Sequence, residues 1–84
     1  MPITPETIRA RVVAALPDAT VTVRDSTGQG DHFAVAVVSP SFEGQGLIDR
    51  HRRIYAALGQ AMQSEIHALA LDTLTPAEQA ARRG

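Results

Sequence analysis

Apolar side chains recur at helical spacing at the start of the chain. From Thr4 to Leu16, Ile8, Val12 and Ala15 or Leu16 share one face while Arg9 and Arg11 turn outward. Thr4 is placed to cap this helix and Pro5 to begin it, where a missing N–H costs nothing; Pro17 stops it. The period then shortens to two. Val21 and Val23 alternate with Thr22 and Arg24 across Thr20 to Asp25, and Phe33, Val35 and Val37 alternate with smaller residues across His32 to Ser39. Between these two predicted strands, Ser26-Thr27-Gly28-Gln29-Gly30-Asp31 is a turn with two glycines suited to positive φ, so the pair forms a hairpin.

Pro40 ends the second strand, and Ser41 to Gly46 is a connection. From Leu47 to about Gln63 the period is helical again. Leu47, Ile48, His51, Ile54, Tyr55, Leu58, Ala61 and Met62 make an apolar stripe that Arg50, Arg52, Arg53 and Gln60 avoid. Ile66 to Asp72 alternates as a third strand. Thr75-Pro76-Ala77-Glu78 is a capping box with proline at the first helical position, opening a short last helix. The order is α-β-β-α-β-α, an α+β class. A full helix between the second and third strands predicts a parallel crossover, whereas the hairpin is antiparallel. The expected architecture is a three-stranded mixed sheet with helices packed on one face, forming one domain over residues 1–84.

Composition narrows the function. At 84 residues and 44% apolar, the chain suits one small core and is too apolar for disorder. With no cysteine it has no thiol nucleophile, no disulfide and no thiolate metal site of its own. A net charge of −1, with arginine as the only strong base, gives no long-range attraction for nucleic acid. Met1-Pro2-Ile3-Thr4 lacks the basic and apolar regions of a signal peptide, and no apolar run reaches membrane-span length, so the cytosol is the expected location.

No G-x-S-x-G, H-E-x-x-H or P-loop occurs, and no enzyme activity is expected. Gly28-Gln29-Gly30 leads into a strand, not into the helix N-terminus where phosphate would bind. Asp25 and Asp31 flank the hairpin turn, where aspartates are usually solvated or capping. Among the three histidines, His51 lies within the helical apolar stripe and reads as a half-buried, hydrogen-bonded structural residue. His32 opens the second strand and His67 the third. If those strands are adjacent and parallel, both histidines sit at one end of the sheet, about 4.8 Å apart strand to strand, although His67 shares the core-facing phase and His32 the opposite one. Arg50, Arg52 and Arg53 form a basic cluster suited to phosphate or an acidic partner, or to a solvated helix face.

Several runs in this order resemble the BolA family: Gly30-Asp31-His32-Phe33, Val37-Val38-Ser39, Phe42-Glu43-Gly44, Leu47 to Leu58 with its R-H-R-x-I-Y core, Ile66-His67-Ala68-Leu69 and Thr75-Pro76-Ala77-Glu78. The resemblance spans about residues 20 to 80 and implies a fold similar to class II KH domains. It further implies a non-enzymatic partner of monothiol glutaredoxins that shares a [2Fe–2S] cluster with glutaredoxin and glutathione or an equivalent thiol. No cluster is expected in the isolated chain, which would be a monomer or a weak homodimer. His67 is the implied ligand, and His32 is the residue available for a second ligand from the hairpin, where some relatives carry cysteine. Some bacterial members are described as DNA-binding regulators of shape and stress responses, which offers DNA as an alternative partner for Arg50, Arg52 and Arg53. The G-x-x-G loop by which KH domains hold single strands is missing.

Overall fold

A computed structural model describes residues 3–26, 28, 32–59 and 68–83. Helix α1 runs Pro5–Ala15, with Thr4 as its N-cap. The Thr4 hydroxyl accepts from the Thr7 amide at 3.2 Å. Ile3 and Ile8 stand at the positions of a hydrophobic staple, and both are buried. The Leu16 amide closes the last turn onto the Val12 carbonyl at 2.8 Å, and Pro17 prevents another.

Strands β1 (Thr20–Asp25) and β2 (His32–Val38) pair antiparallel, with Val23 opposite Val35 and Asp25 opposite Phe33. Strand β3 (Ala68–Leu74) lies along the other side of β2 and runs parallel to it, so the order is β1-β2-β3. The predicted mixed sheet is therefore formed, with the crossover direction that an intervening helix requires. β3 reaches Leu74, two residues beyond the predicted end, because Thr73 and Leu74 pair with Val37 and Val38. Ile66 and His67, the predicted start of this strand, lie outside the described residues.

Phe33, Val35 and Val37 present one face of the sheet to Ile8 and Val12 of α1 and to Ile54 and Leu58 of helix α2 (Leu47–Leu58). A short 3-10 turn, Pro40–Phe42, delivers the Phe42 ring to the same core. α2 stops earlier than the apolar period predicts. Gly59 takes φ 58°, a left-handed value that glycine accepts freely, and its amide bonds the Tyr55 carbonyl at 2.9 Å. Arg11 of α1 donates to the Leu58 carbonyl at the end of α2, 3.2 Å away. Gln60, Ala61 and Met62 of the predicted stripe fall outside the described residues.

Three other members of that stripe face solvent: Leu47 is 62% exposed, Ile48 69% and Tyr55 41%. At about 100° per residue, Ile48 and Tyr55 stand well round the helix from Ile54. Leu47 lies two turns before Ile54, and between their levels the nearly buried Arg50 sets its guanidinium over the Phe42 ring. The last helix, α3 (Pro76–Arg83), has the predicted capping box: the Thr75 hydroxyl accepts from the Glu78 amide at 3.1 Å, and Glu78 Oε1 accepts from the Thr75 amide at 2.8 Å. Polar contacts hold α3 beside β3, including Arg82 to Asp72 at 2.6 Å.

Candidate functional site

β2 opens with His32, which is half-buried and lies on the side of the sheet away from the core, in phase with Ala34 and Ala36. In the parallel register His32 stands opposite Ala68. His67 immediately precedes Ala68 in sequence and is outside the described residues, as is Asp31. The strand arrangement that brings the start of β3 beside His32 is present. The His32 carbonyl accepts from the Ser26 amide at 2.8 Å, closing the hairpin. Asp25 accepts from the Gly28 amide at 2.9 Å, and Gly28 takes φ 77°, so this aspartate caps the turn.

A [2Fe–2S] cluster needs four ligand atoms, normally thiolates, with imidazole as the known substitute on one iron. This chain has no thiolate to give. Among the described residues no group of three or more histidines, aspartates or glutamates could hold a metal ion. The histidines of this sequence could supply at most a minority of the four ligands of such a cluster.

The arginine cluster separates into different roles. Arg50 donates to the Gln45 carbonyl at 2.9 Å and to the Thr73 carbonyl at 3.2 Å, and pairs with Glu78 at 2.6 Å. Its side chain is only 11% exposed. The pairing with Arg50, helped by the Thr75 amide, lowers the Glu78 pKa to about 2. Arg53 donates to the Ser41 carbonyl and to Gln45 Oε1, each at 3.2 Å. Both guanidinium groups lie over the Phe42 ring, at 5.7 and 5.8 Å from its centroid. Arg52 is exposed and makes no hydrogen bond or ion pair among the described residues.

The family model for BolA-like protein matches residues 9–78. This chain belongs to the BolA family. Among curated proteins, BolA-like protein 1 of Pongo abelii is 38% identical over 78 residues, covering 84% of this chain and 57% of that protein. The chain thus spans little more than half the length of the curated relatives it matches first. The DNA-binding transcriptional regulator BolA of Escherichia coli is 44% identical over 48 residues, covering 57% of this chain and 46% of that protein. Among solved structures, a BolA homologue from Coxiella burnetii superposes with a TM-score of 0.78 at 40% identity, covering 93% of this chain and 97% of that one. The resemblance read from the sequence is confirmed, and with it the α-β-β-α-β-α fold.

Three features of this BolA-family chain go wholly or partly beyond what its sequence predicts. Asp18 accepts from the Ser39 and Ser41 hydroxyls at 2.9 and 2.8 Å, and these bonds lower its pKa, Ser39 contributing most. Nothing in the local pattern links the α1–β1 turn to residues more than twenty positions later. The pairing of Glu78 with Arg50 was half-visible, since the capping box already engaged the glutamate. Finally, His51 is half-buried as expected and meets Tyr55 edge-on at 6.4 Å between ring centroids, but its buried Nε2 has no hydrogen-bond partner among the described residues.

Proposed function

We propose that this chain is a non-enzymatic adaptor that binds a monothiol glutaredoxin and shares a [2Fe–2S] cluster with it, in iron–sulfur trafficking or iron and redox regulation. The observation that carries this reading is the parallel β2–β3 register. It sets His32 opposite Ala68, the sequence neighbour of His67, in a chain whose donors to iron are imidazoles and never thiolates. His67 is the principal ligand and His32 the second; glutaredoxin and glutathione supply the thiolates. When bound, the cluster provides a one-electron centre and a transferable iron–sulfur unit. An imidazole binds iron only when neutral, so assembly of the complex weakens on acidification.

The test is anaerobic reconstitution with a monothiol glutaredoxin, read by visible absorption and circular dichroism, alongside thermal melts of each variant alone. His67→Ala is expected to leave the fold nearly intact while abolishing the shared-cluster spectrum. His32→Ala weakens the spectrum less, because a thiol or water takes its place, and His51→Ala lowers stability more than cluster content. A wild-type spectrum and lifetime in His67→Ala overturns the ligand assignment, and unfolding of that variant makes His67 a core residue.

The name of the Escherichia coli relative supports DNA binding as the second reading. Arg50 and Arg53 already serve internal partners and the net charge is −1, so duplex binding should be weak and should fall steeply with salt. Tight, sequence-selective binding near physiological salt would favour the regulator.

A further inference from the structure

Behind the core-facing side of the sheet lies a second face that no described helix covers. Its floor is Ala34, Ala36 and Ala70, with Thr22 and Arg24 on the β1 rim and Asp72 on the β3 rim, and they enclose a shallow groove of about 380 Å³. The register places Arg24, Ala34 and Ala70 in one row across the strands, and Thr22, Ala36 and Asp72 in the next. The cation and the anion therefore occupy diagonally opposite corners of an alanine floor. Arg24 is exposed and has no ion pair among the described residues. The Asp72 side chain remains 46% exposed even with Arg82 bound at 2.6 Å, and a carboxylate has lone pairs for a second guanidinium.

From this arrangement we infer that the face is a self-association surface whose occupant is a second copy of the same chain. A two-fold axis parallel to the strands, lying between two such faces, sets β1 of one copy over β3 of the other. Arg24 then lies above the partner copy's β3 one row, about 6.8 Å, from the Asp72 level, a gap that an extended arginine side chain spans. Symmetry makes the pair twice, because an isologous contact repeats every interaction. Alanine methyl groups let the two sheets approach at or inside the usual spacing of about 10 Å. A partner of other chemistry would have to bring its own anion and cation at the same diagonal spacing, whereas this chain already carries both.

The face is small. Three strands and three to four rows amount to roughly 300–400 Å² per copy, below the roughly 1,200 Å² in total that stable interfaces bury. The dimer is accordingly weak, populated at high-micromolar to millimolar concentration, and loosened by salt. This inference does not depend on the cluster-sharing reading.

The test is sedimentation velocity over a dilution series of the full chain, paired with methyl NMR on dilution. The wild type is expected to self-associate with shifts at the Ala34, Ala36 and Ala70 methyls. Arg24→Asp should raise the dissociation constant at least tenfold by setting like charges together, and Arg24→Asp with Asp72→Arg should restore it to within about threefold. Ala36→Glu, which places a charge on the floor and leaves both rim charges in place, should also abolish association, with circular dichroism checking that each variant is folded. A strictly monomeric chain at millimolar concentration overturns the inference. So does dimerisation whose shifts fall on Leu47, Ile48 and Tyr55, or a folded double variant that fails to recover.

Discussion

At the C-terminal ends of β2 and β3, side chains and backbone are tied together repeatedly. The Ser39 amide bonds the Leu74 carbonyl at 2.9 Å, Asp18 gathers the Ser39 and Ser41 hydroxyls, and Arg50 bridges Gln45, Thr73 and Glu78. At the N-terminal ends of the same strands stand His32 and the small Ala68. The contrast teaches which arginines are committed to holding the fold. Arginines already satisfied by internal carbonyls and carboxylates are costly to redirect, so the basic cluster that stands out in the sequence is half architecture.

The comparison breaks most visibly at Phe42. This ring is fully buried and carries both guanidinium groups on its faces. Phe42→Ala should cost about 3–5 kcal/mol, the usual penalty for emptying a buried aromatic site, measured by urea unfolding. A loss below about 1 kcal/mol would mean that the arginine corner does not depend on the ring. Next in size is the contrast between neighbours on α2. Arg50→Ala should lose about 2 kcal/mol, because it strands the Thr73 carbonyl and removes a charge-assisted pair. Arg52→Ala should stay within about 0.5 kcal/mol, as exposed substitutions do. Equal losses at both positions would erase the distinction between architectural and free arginines.

Why one end was legible in the sequence and the other was not follows from range. Capping boxes, strand alternation and the parallel crossover are local or near-local patterns, and all appear in the structure, down to Thr75 and Glu78. The pairing of Arg50 with Glu78 spans 28 residues, and that of Asp18 with Ser39 spans 21. No periodicity encodes such contacts, because they arise only after the sheet and α2 have docked. The apolar stripe of α2 misled for the opposite reason. Helical spacing identified a face correctly around Ile54 and Leu58, but it could not show that one turn earlier Arg50 is committed to Gln45, Thr73 and Glu78 beside the Phe42 ring. For the two strand-opening histidines only the topology was legible: the parallel strands follow from the connecting helix and are present, whereas a ligand role for His67 is a proposal that rests on family resemblance.

Acid sharpens the comparison further. Glu78 has an ordinary pKa of 4.5 and a folded value of about 2. A carboxylate whose pKa is lowered by folding contributes stability that is complete above the unfolded value and disappears as pH falls through the folded one. The wild-type advantage over Glu78→Gln should therefore be constant above about pH 5 and shrink between about pH 4.5 and 2. Asp18, also lowered, contributes in the same direction. Melting temperatures of the two proteins across pH 2–6 give the result directly. An advantage that persists unchanged to pH 2 would mean that the Arg50 pairing does not act through the charge of Glu78.

The smallest effect lies within the tightly bonded end itself. Thr73 is 3% exposed on the core-facing side of β3, opposite Val37, and its hydroxyl has no hydrogen-bond partner among the described residues. Its carbonyl accepts from Arg50, and that backbone bond survives any side-chain exchange. Burying a hydroxyl without a partner costs free energy, whereas a methyl group of the same shape at that site does not. Thr73→Val keeps the β-branch and the volume while removing the polar atom. It should raise stability by up to about 1 kcal/mol in urea unfolding, with no change in the denaturant slope that would signal a altered unfolded state. A loss of similar size would mean that the hydroxyl is satisfied in solution, by water or by a contact that forms outside the described residues, and this end of the sheet would then be polar throughout.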